Sequence, residues 1–205
     1  MSCVKLMSGL DIACEPLFTK YYQNIVLINK SDVESFIVTN YDGFNNVRFS
    51  LKAGKTGYAF NLPPAASNLS ASFSKSEEQG IPVYSHLCSL PIAGTTENIK
   101  VILKQLDQTL VFAAIKFMGG SIEIYGWDYG LKTDSYDYQP QGGIGGAIIP
   151  LRSSFSEYDP PYMYNVKDER GAAAIDEDYE NNFANIPNVN TGDFNNDYND
   201  DFNIE

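Results

Sequence analysis

The sequence predicts a mainly β domain with one helix, an antiparallel β-sandwich or barrel, followed by an extended acidic C-terminal arm. Three observations carry this reading. Short apolar or alternating runs recur between polar and turn residues from Asn24 to Phe155. A single stretch, Thr95–Leu110, has helical rather than strand spacing. From Asn165 onward the composition changes to acidic residues and asparagine.

Taken in order, the opening Cys3–Pro16 is irregular, and Asn24-Ile25-Val26-Leu27-Ile28-Asn29 is an apolar run with polar ends, a strand signal. Ser35-Phe36-Ile37-Val38-Thr39-Asn40 is a second strand, ending at the turn sequence Tyr41-Asp42-Gly43. Val47–Leu51 and Tyr58–Leu62 alternate with period two around Ala53-Gly54-Lys55-Thr56-Gly57, which predicts a hairpin closed by Pro63-Pro64. Leu69, Ala71 and Phe73 alternate with serines and predict a half-exposed strand. Val83–Ile92 alternates again, with Tyr84, His86, Cys88, Leu90 and Ile92 on one face.

The helix follows. Thr95 or Thr96 is its N-cap, Glu97 lies in its first turn, and Ile99, Ile102, Leu103, Leu106 and Leu110 share one face. Leu110–Ile115 reads as a buried strand, Phe117–Ile122 as a turn, and Ser121–Trp127 as another alternating segment punctuated by Gly126 and Gly130. The glycine-rich loop Gly142–Gly146 leads into the last expected strand, Ala147–Phe155. This gives about eight or nine strands on the strand criteria used. No internal repeat is present.

The chain divides at residue 164. Residues 165–205 hold eleven acidic residues against Lys167 and Arg170, a net charge of −9; the whole chain carries −12, which leaves −3 for residues 1–164. Ten asparagines and the single aromatics Tyr179, Phe183, Phe194, Tyr198 and Phe202 fill much of the arm. Such a strip does not offset its ordering entropy alone, but spaced aromatics suit ordering along a partner. Hydrophobic patterning is complete by Phe155, so residues 1–164 are expected to fold without residues 166–205.

Composition narrows the function classes. No run of 18 apolar residues predicts a membrane-spanning helix, and Met1–Met7 lacks the continuous apolar core of a secretory signal. Three cysteines, Cys3, Cys14 and Cys88, predict no disulfide framework and an intracellular assembly compartment, so the sequons at Asn29 and Asn68 carry no meaning for glycosylation. Net negative charge opposes general nucleic-acid affinity but suits a pore through which DNA slides.

No constellation of residues survives as an active site, cofactor site or metal site. Ala53-Gly54-Lys55-Thr56 resembles the end of a phosphate-binding loop, but Phe49 stands where that motif needs glycine. Asp193, Asn195, Asp197 and Asn199 mimic a calcium loop, yet Tyr198 occupies the glycine position and Ile204 the glutamate position. His86 is the only histidine and is expected half-buried with one hydrogen bond. Its pairing with Cys88 two residues away is poor geometry for proton transfer, and Cys3 and Cys14 with His86 make a partial zinc set at most. Gly142–Gly146 precedes a strand, whereas dinucleotide-binding glycines precede a helix.

The order of elements resembles the tail-tube fold of bacteriophage virion proteins. Three stretches are similar to tube-like proteins of phages infecting Bacteroidetes, including ring and connector proteins of crAss-like phages. These are Cys3…Gly9…Cys14 before Ile25–Ile28, the Ala71-Ser72-Phe73 to Leu90 strand pair leading into Ile99–Leu110, and Gly119–Gly126 followed by Gly130-Leu131 and Gly142–Gly146. The similarity covers about residues 1–160. It implies a structural virion protein, not an enzyme: a homo-oligomeric ring in the tail or the portal–tail connector. The ring would line the channel for genome packaging or ejection, in a virion tail assembled in the host cytoplasm. Implied partners are copies of itself and neighbouring tail, portal or connector proteins, with DNA only passing through. The resemblance also places an Asp42–Pro64 hairpin toward the adjacent ring, Thr96–Leu110 outside the barrel, and the arm over neighbouring subunits with its aromatics in their grooves.

Two other readings come from the residues. Trp127, Tyr125, Tyr129, Tyr136 and Tyr138 suggest a stacking platform in a carbohydrate- or protein-binding β-sandwich. His86 would be the centre of any histidine-dependent enzyme chemistry.

Overall fold

The structure, a computed structural model, describes residues 24–41, 44–61, 70–94, 96–117, 120–139, 146–165, 171–184 and 186. In chain order the strands are β1 (Asn24–Asn29), β2 (Val33–Tyr41), β3 (Phe44–Leu51), β4 (Tyr58–Asn61), β5 (Ser70–Glu78) and β6 (Ile81–Ala93). Helix α1 (Glu97–Leu106) follows, then β7 (Val111–Lys116), β8 (Ile122–Tyr125), β9 (Leu131–Thr133), β10 (Gly146–Ser153), β11 (Tyr162–Tyr164) and helix α2 (Ala172–Glu180). All eleven described strands belong to one mixed sheet, ordered β2-β3-β11-β8-β7-β9-β10-β6-β5, with β1 joined to β7 and β4 joined to β1.

The apolar runs of β1 and β7 explain the centre of the molecule. A strand without polar alternation must be covered on both faces. These two pair antiparallel, Val26 opposite Ala114 and Leu27 opposite Ala113, so small residues meet branched ones. Ile25, Leu27, Val111, Ala113 and Ile115 enter one core with Leu90, Ile149 and the α1 residues Leu103 and Leu106. Val26, Ile28, Phe112 and Ala114 enter a second core with Phe49, Trp127 and Tyr164. Thus α1 closes one face and α2, through Tyr179, helps close the other.

Several expectations are met. The runs at Asn24–Asn29, Ser35–Asn40, Leu69–Phe73, Val83–Ile92 and Leu110–Ile115 all contain strands, and Thr96 sits at the α1 N-cap, although its side chain makes no capping hydrogen bond. Mainly β architecture holds.

Other expectations are corrected. The sheet is neither purely antiparallel nor closed: β11 runs parallel to β3, with Met163 opposite Asn46. Val47–Leu51 and Tyr58–Leu62 do not form a hairpin. Strand β3 is bordered by β2 and β11, whereas β4 pairs with β1. The connection crosses over β1 at Gly57, where a Cβ would meet Val26 Cγ1 at 2.5 Å and Ile28 Cγ1 at 2.9 Å. The long antiparallel pair is instead β2–β3, in register from Val33 opposite Leu51 to Tyr41 opposite Phe44. Ala147–Phe155 is not the last strand, because Tyr162–Tyr164 adds one. Helix α1 ends at Leu106, and Leu110 lies beyond it, exposed.

The largest correction concerns the arm. Among the described residues there are two helices, and α2 lies within the segment expected to be an unstructured strip. Tyr179, Phe183 and Ile186 are buried in the second core. The Phe183 ring lies 5.0 Å from that of Tyr164 and 5.2 Å from that of Phe49. Polar contacts hold the same segment: Tyr164 donates to Asp178 at 3.0 Å, and buried Lys116 pairs with Asp176 at 2.7 Å. Burying one such aromatic side chain contributes roughly 1.5–3 kcal/mol. Residues 171–184 and Ile186 therefore belong to the folded body, and its patterning is not complete at Phe155.

Candidate functional site: the end strands of the sheet and an aromatic cleft

His86 is fully buried on β6 with two ring contacts. Its Nδ1 accepts the Gly126 N–H at 3.0 Å, so Nε2 carries the proton and donates to the Asp159 carbonyl at 3.1 Å. Gly126 sits at φ +73°, and a Cβ there would strike Leu131 Cγ at 2.5 Å; the turn that delivers this N–H requires glycine. Burial pulls the imidazole down to about 4. The ring is a neutral brace between β6 and two loops, with one more hydrogen bond than expected. Cys88 is likewise buried, and burial pushes its thiol well above the usual range.

A cleft of about 600 Å³ opens near this brace, with Phe36, Trp127, Asp128, Tyr129, Tyr158 and Lys30 among its walls. Trp127 forms its floor, 5.5 Å from Phe36 and 5.2 Å from Phe112. Asp128 accepts the Tyr162 hydroxyl at 3.1 Å and the Tyr158 N–H at 3.3 Å. Behind it the buried carboxylate of Glu157 accepts the N–H groups of Asp128 at 2.9 Å and Tyr129 at 3.4 Å. Burial, reinforced by the Asp128 charge, raises Glu157 to about 7. Lys30 donates to the Trp127 carbonyl, and its ammonium lies over the indole, 5.7 Å from the centroid. Burial lowers the Lys30 pKa against the attraction of Glu157 and Asp128. Asp128, Glu157, Lys30 and Phe36 were not singled out from the sequence; the only local signal is that Asp128 lies between Gly126 and Gly130.

The expected stacking platform is not assembled. Trp127 is buried in the second core and Tyr125 in the first, Tyr129 faces Phe155 and Tyr158, and Tyr136 and Tyr138 pack against the first core. The Gly54-Lys55-Thr56 stretch forms part of the β3–β4 connection, with Lys55 3.7 Å from Asp32 and Thr56 donating to the Asn182 carbonyl at 3.2 Å. Among the described residues no three His, Cys, Asp or Glu side chains gather as a metal site. Cys3, Cys14, Asp193, Asp197 and most of Gly142–Gly146 lie outside the described residues.

The remaining features are edges. Strands β2 and β5, of nine residues each, stand at the two ends of the sheet path, and no described strand pairs with their outer sides. Almost every residue of β5 is exposed, and Phe36 and Val38 on β2 are exposed apolar side chains. No described helix is long and apolar enough to cross a membrane.

No family model matches the chain, and no curated protein and no solved structure matches it.

Proposed function

We propose that this protein is a structural subunit of a phage virion, a ring in the tail or portal–tail connector through which the genome passes. One observation carries the reading: two strands of equal length, β2 and β5, stand at the ends of the sheet path, and no described strand lies on their outer sides. Unpaired edges invite pairing with another chain, and monomers protect or shorten them. Here an edge of one copy would meet the opposite edge of the next, a head-to-tail contact that closes into a ring when the rotation allows. The resemblance to tail-tube proteins supplies the identity of the ring, and an acidic channel protein suits passage of DNA without capture. Negative-stain imaging of the purified full chain tests this. Closed rings are expected, and a strictly monomeric species at every concentration would end the reading.

A second reading, a carbohydrate- or protein-binding module, is favoured by the cleft between Phe36, Trp127, Tyr129 and Tyr158 with the Asp128 carboxylate at its side. Aromatic faces with a nearby acceptor suit sugar rings. Binding on a glycan array that is lost in Tyr158→Ala would support it, and an empty array would remove it.

A further inference from the structure

Residues 154–161 link β10 to β11 and lie between the β6 backbone and the turn that carries Trp127, Asp128 and Tyr129. Glu157 fastens them on both sides. Its backbone exchanges hydrogen bonds with that of Tyr84 at 2.7 and 2.8 Å, and its carboxyl accepts the N–H groups of Asp128 and Tyr129. Tyr158, next along, is a wall of the cleft, and its N–H donates to the Asp128 carboxylate. The segment is therefore held down by two carboxyl groups, Glu157 and Asp128, that stand within hydrogen-bonding reach of each other.

The surroundings do not neutralise both. Glu157 is fully buried, and among the described residues no basic group forms an ion pair with it or with Asp128. Lys30, just after β1, attracts both, but its ammonium is held by the Trp127 carbonyl and indole. The Tyr162 hydroxyl of β11 is shared between Asp128 and Asp159, and Asp159 adds a further negative charge. From β6, neutral His86 holds the Asp159 carbonyl, and Glu78 of β5 accepts the Ser156 hydroxyl. A buried carboxyl beside a second one, with no cation paired to it, keeps its proton.

We infer that residues 154–161 are a proton-latched strap: protonated Glu157 donates to Asp128 and keeps Tyr158 at the wall of the cleft, and loss of that proton to solvent sets two carboxylates against each other and lifts the strap. Access to the Trp127 floor then depends on pH, whichever partner the cleft serves. Burial and the Asp128 charge outweigh the two N–H donors and push Glu157 up to about 7, against an ordinary 4.5. The closed strap is thus fully favoured below 4.5 and loosens as pH rises through 7. His86 acts in the opposite direction, because an opened strap exposes an imidazole that takes up a proton more readily.

Hydrogen–deuterium exchange on the full chain tests the inference, with amide protection in the parent divided by that in Glu157→Gln at each pH. Glutamine mimics the protonated acid, and the ratio cancels the His86 contribution. Between pH 5 and pH 8 the ratio at Asp128, Glu157 and Tyr158 is expected to fall at least about tenfold, with β7 unchanged. A flat ratio would overturn the inference, and so would an equal fall in β7, which makes the effect global. Should Glu157→Gln fail to fold, Asp128→Asn serves as the reference. Without the neighbouring charge Glu157 gives up its proton at lower pH, so the ratio of parent to variant should still fall across this range, and a flat ratio overturns the strap.

Discussion

The hydroxyl of Tyr179 donates to the backbone carbonyl of Asn24 at 3.0 Å, tying α2 to the first residue of β1 across 155 positions of sequence. The same Tyr179 ring lies under the Lys116 ammonium at 5.8 Å, and Lys116 in turn pairs with Asp176. A segment whose composition reads as a solvated strip is in this way part of the wall of the second core.

Phe183→Ala should therefore behave as a core truncation. It removes a ring in contact with Phe49, Tyr164 and Tyr179, and a loss of roughly 3–5 kcal/mol is expected in urea unfolding. Deleting residues 171–205 should leave a chain without a cooperative transition, whereas deleting only 187–205 should preserve the parent midpoint. A stable, cooperative 1–170 fragment would contradict the role given to α2.

The reason this went unread in the sequence is physical. In α2, three alanines and four carboxylates mask Tyr179, and Phe183 lies past the helix end; the burial of both depends on a distant core. By contrast β1, β2, β6, β7 and α1 announce themselves through local apolar runs or helical spacing. Pairing partners are another matter: β3 and β4 both alternate, but nothing in their residues says that one joins β2 and the other β1. Strand β11 has only three residues after Pro160 and Pro161, too few to show a period. The cleft was invisible for a similar reason, since Lys30, Phe36, Asp128 and Glu157 come together only through the sheet order.

Stability against pH should carry two opposing slopes. His86 titrates near 6.5 when unfolded and at about 4 when folded, so the unfolded chain takes up the extra proton as pH falls through this window. That destabilises the fold by on the order of 3 kcal/mol at the acid end. Glu157 acts in reverse: its folded value of about 7 exceeds the unfolded 4.5, so the fold holds the extra proton and loses stability as pH rises from 4.5 to 7. Glu157→Gln removes the second slope. Its unfolding free energy should fall more steeply than that of the parent between pH 6.5 and 4.5, measured by urea titration at several pH values. Parallel curves would show that Glu157 is not held protonated.

Cys88 should be chemically silent in the native protein. In a Cys3→Ser/Cys14→Ser chain, where it is the only thiol, a thiol reagent at pH 8 is expected to react only after denaturant is added. Burial blocks access and disfavours the thiolate that would attack. Rapid labelling of the folded chain would contradict this and reopen chemistry at the His86–Cys88 strand.

Edge pairing should be sensitive to proline on β5. In an edge strand alternate N–H groups point outward, so of Ser74→Pro and Lys75→Pro one removes an outward donor while leaving the β5–β6 ladder intact. That variant should keep the parent's circular dichroism and melting behaviour yet lose the large species in sedimentation. Retention of the large species by both variants, folded, would move the contact away from β5.

The most direct measurement joins the two edges chemically. Val38→Cys on β2 and Phe73→Cys on β5, in the Cys3→Ser/Cys14→Ser background, place one exposed thiol on each edge strand. After treatment with a short bifunctional maleimide, denaturing mass analysis should show a ladder of covalent multimers ending at one maximal size, the closed ring. Monomer alone at every protein concentration would contradict the claim that β2 of one copy meets β5 of the next.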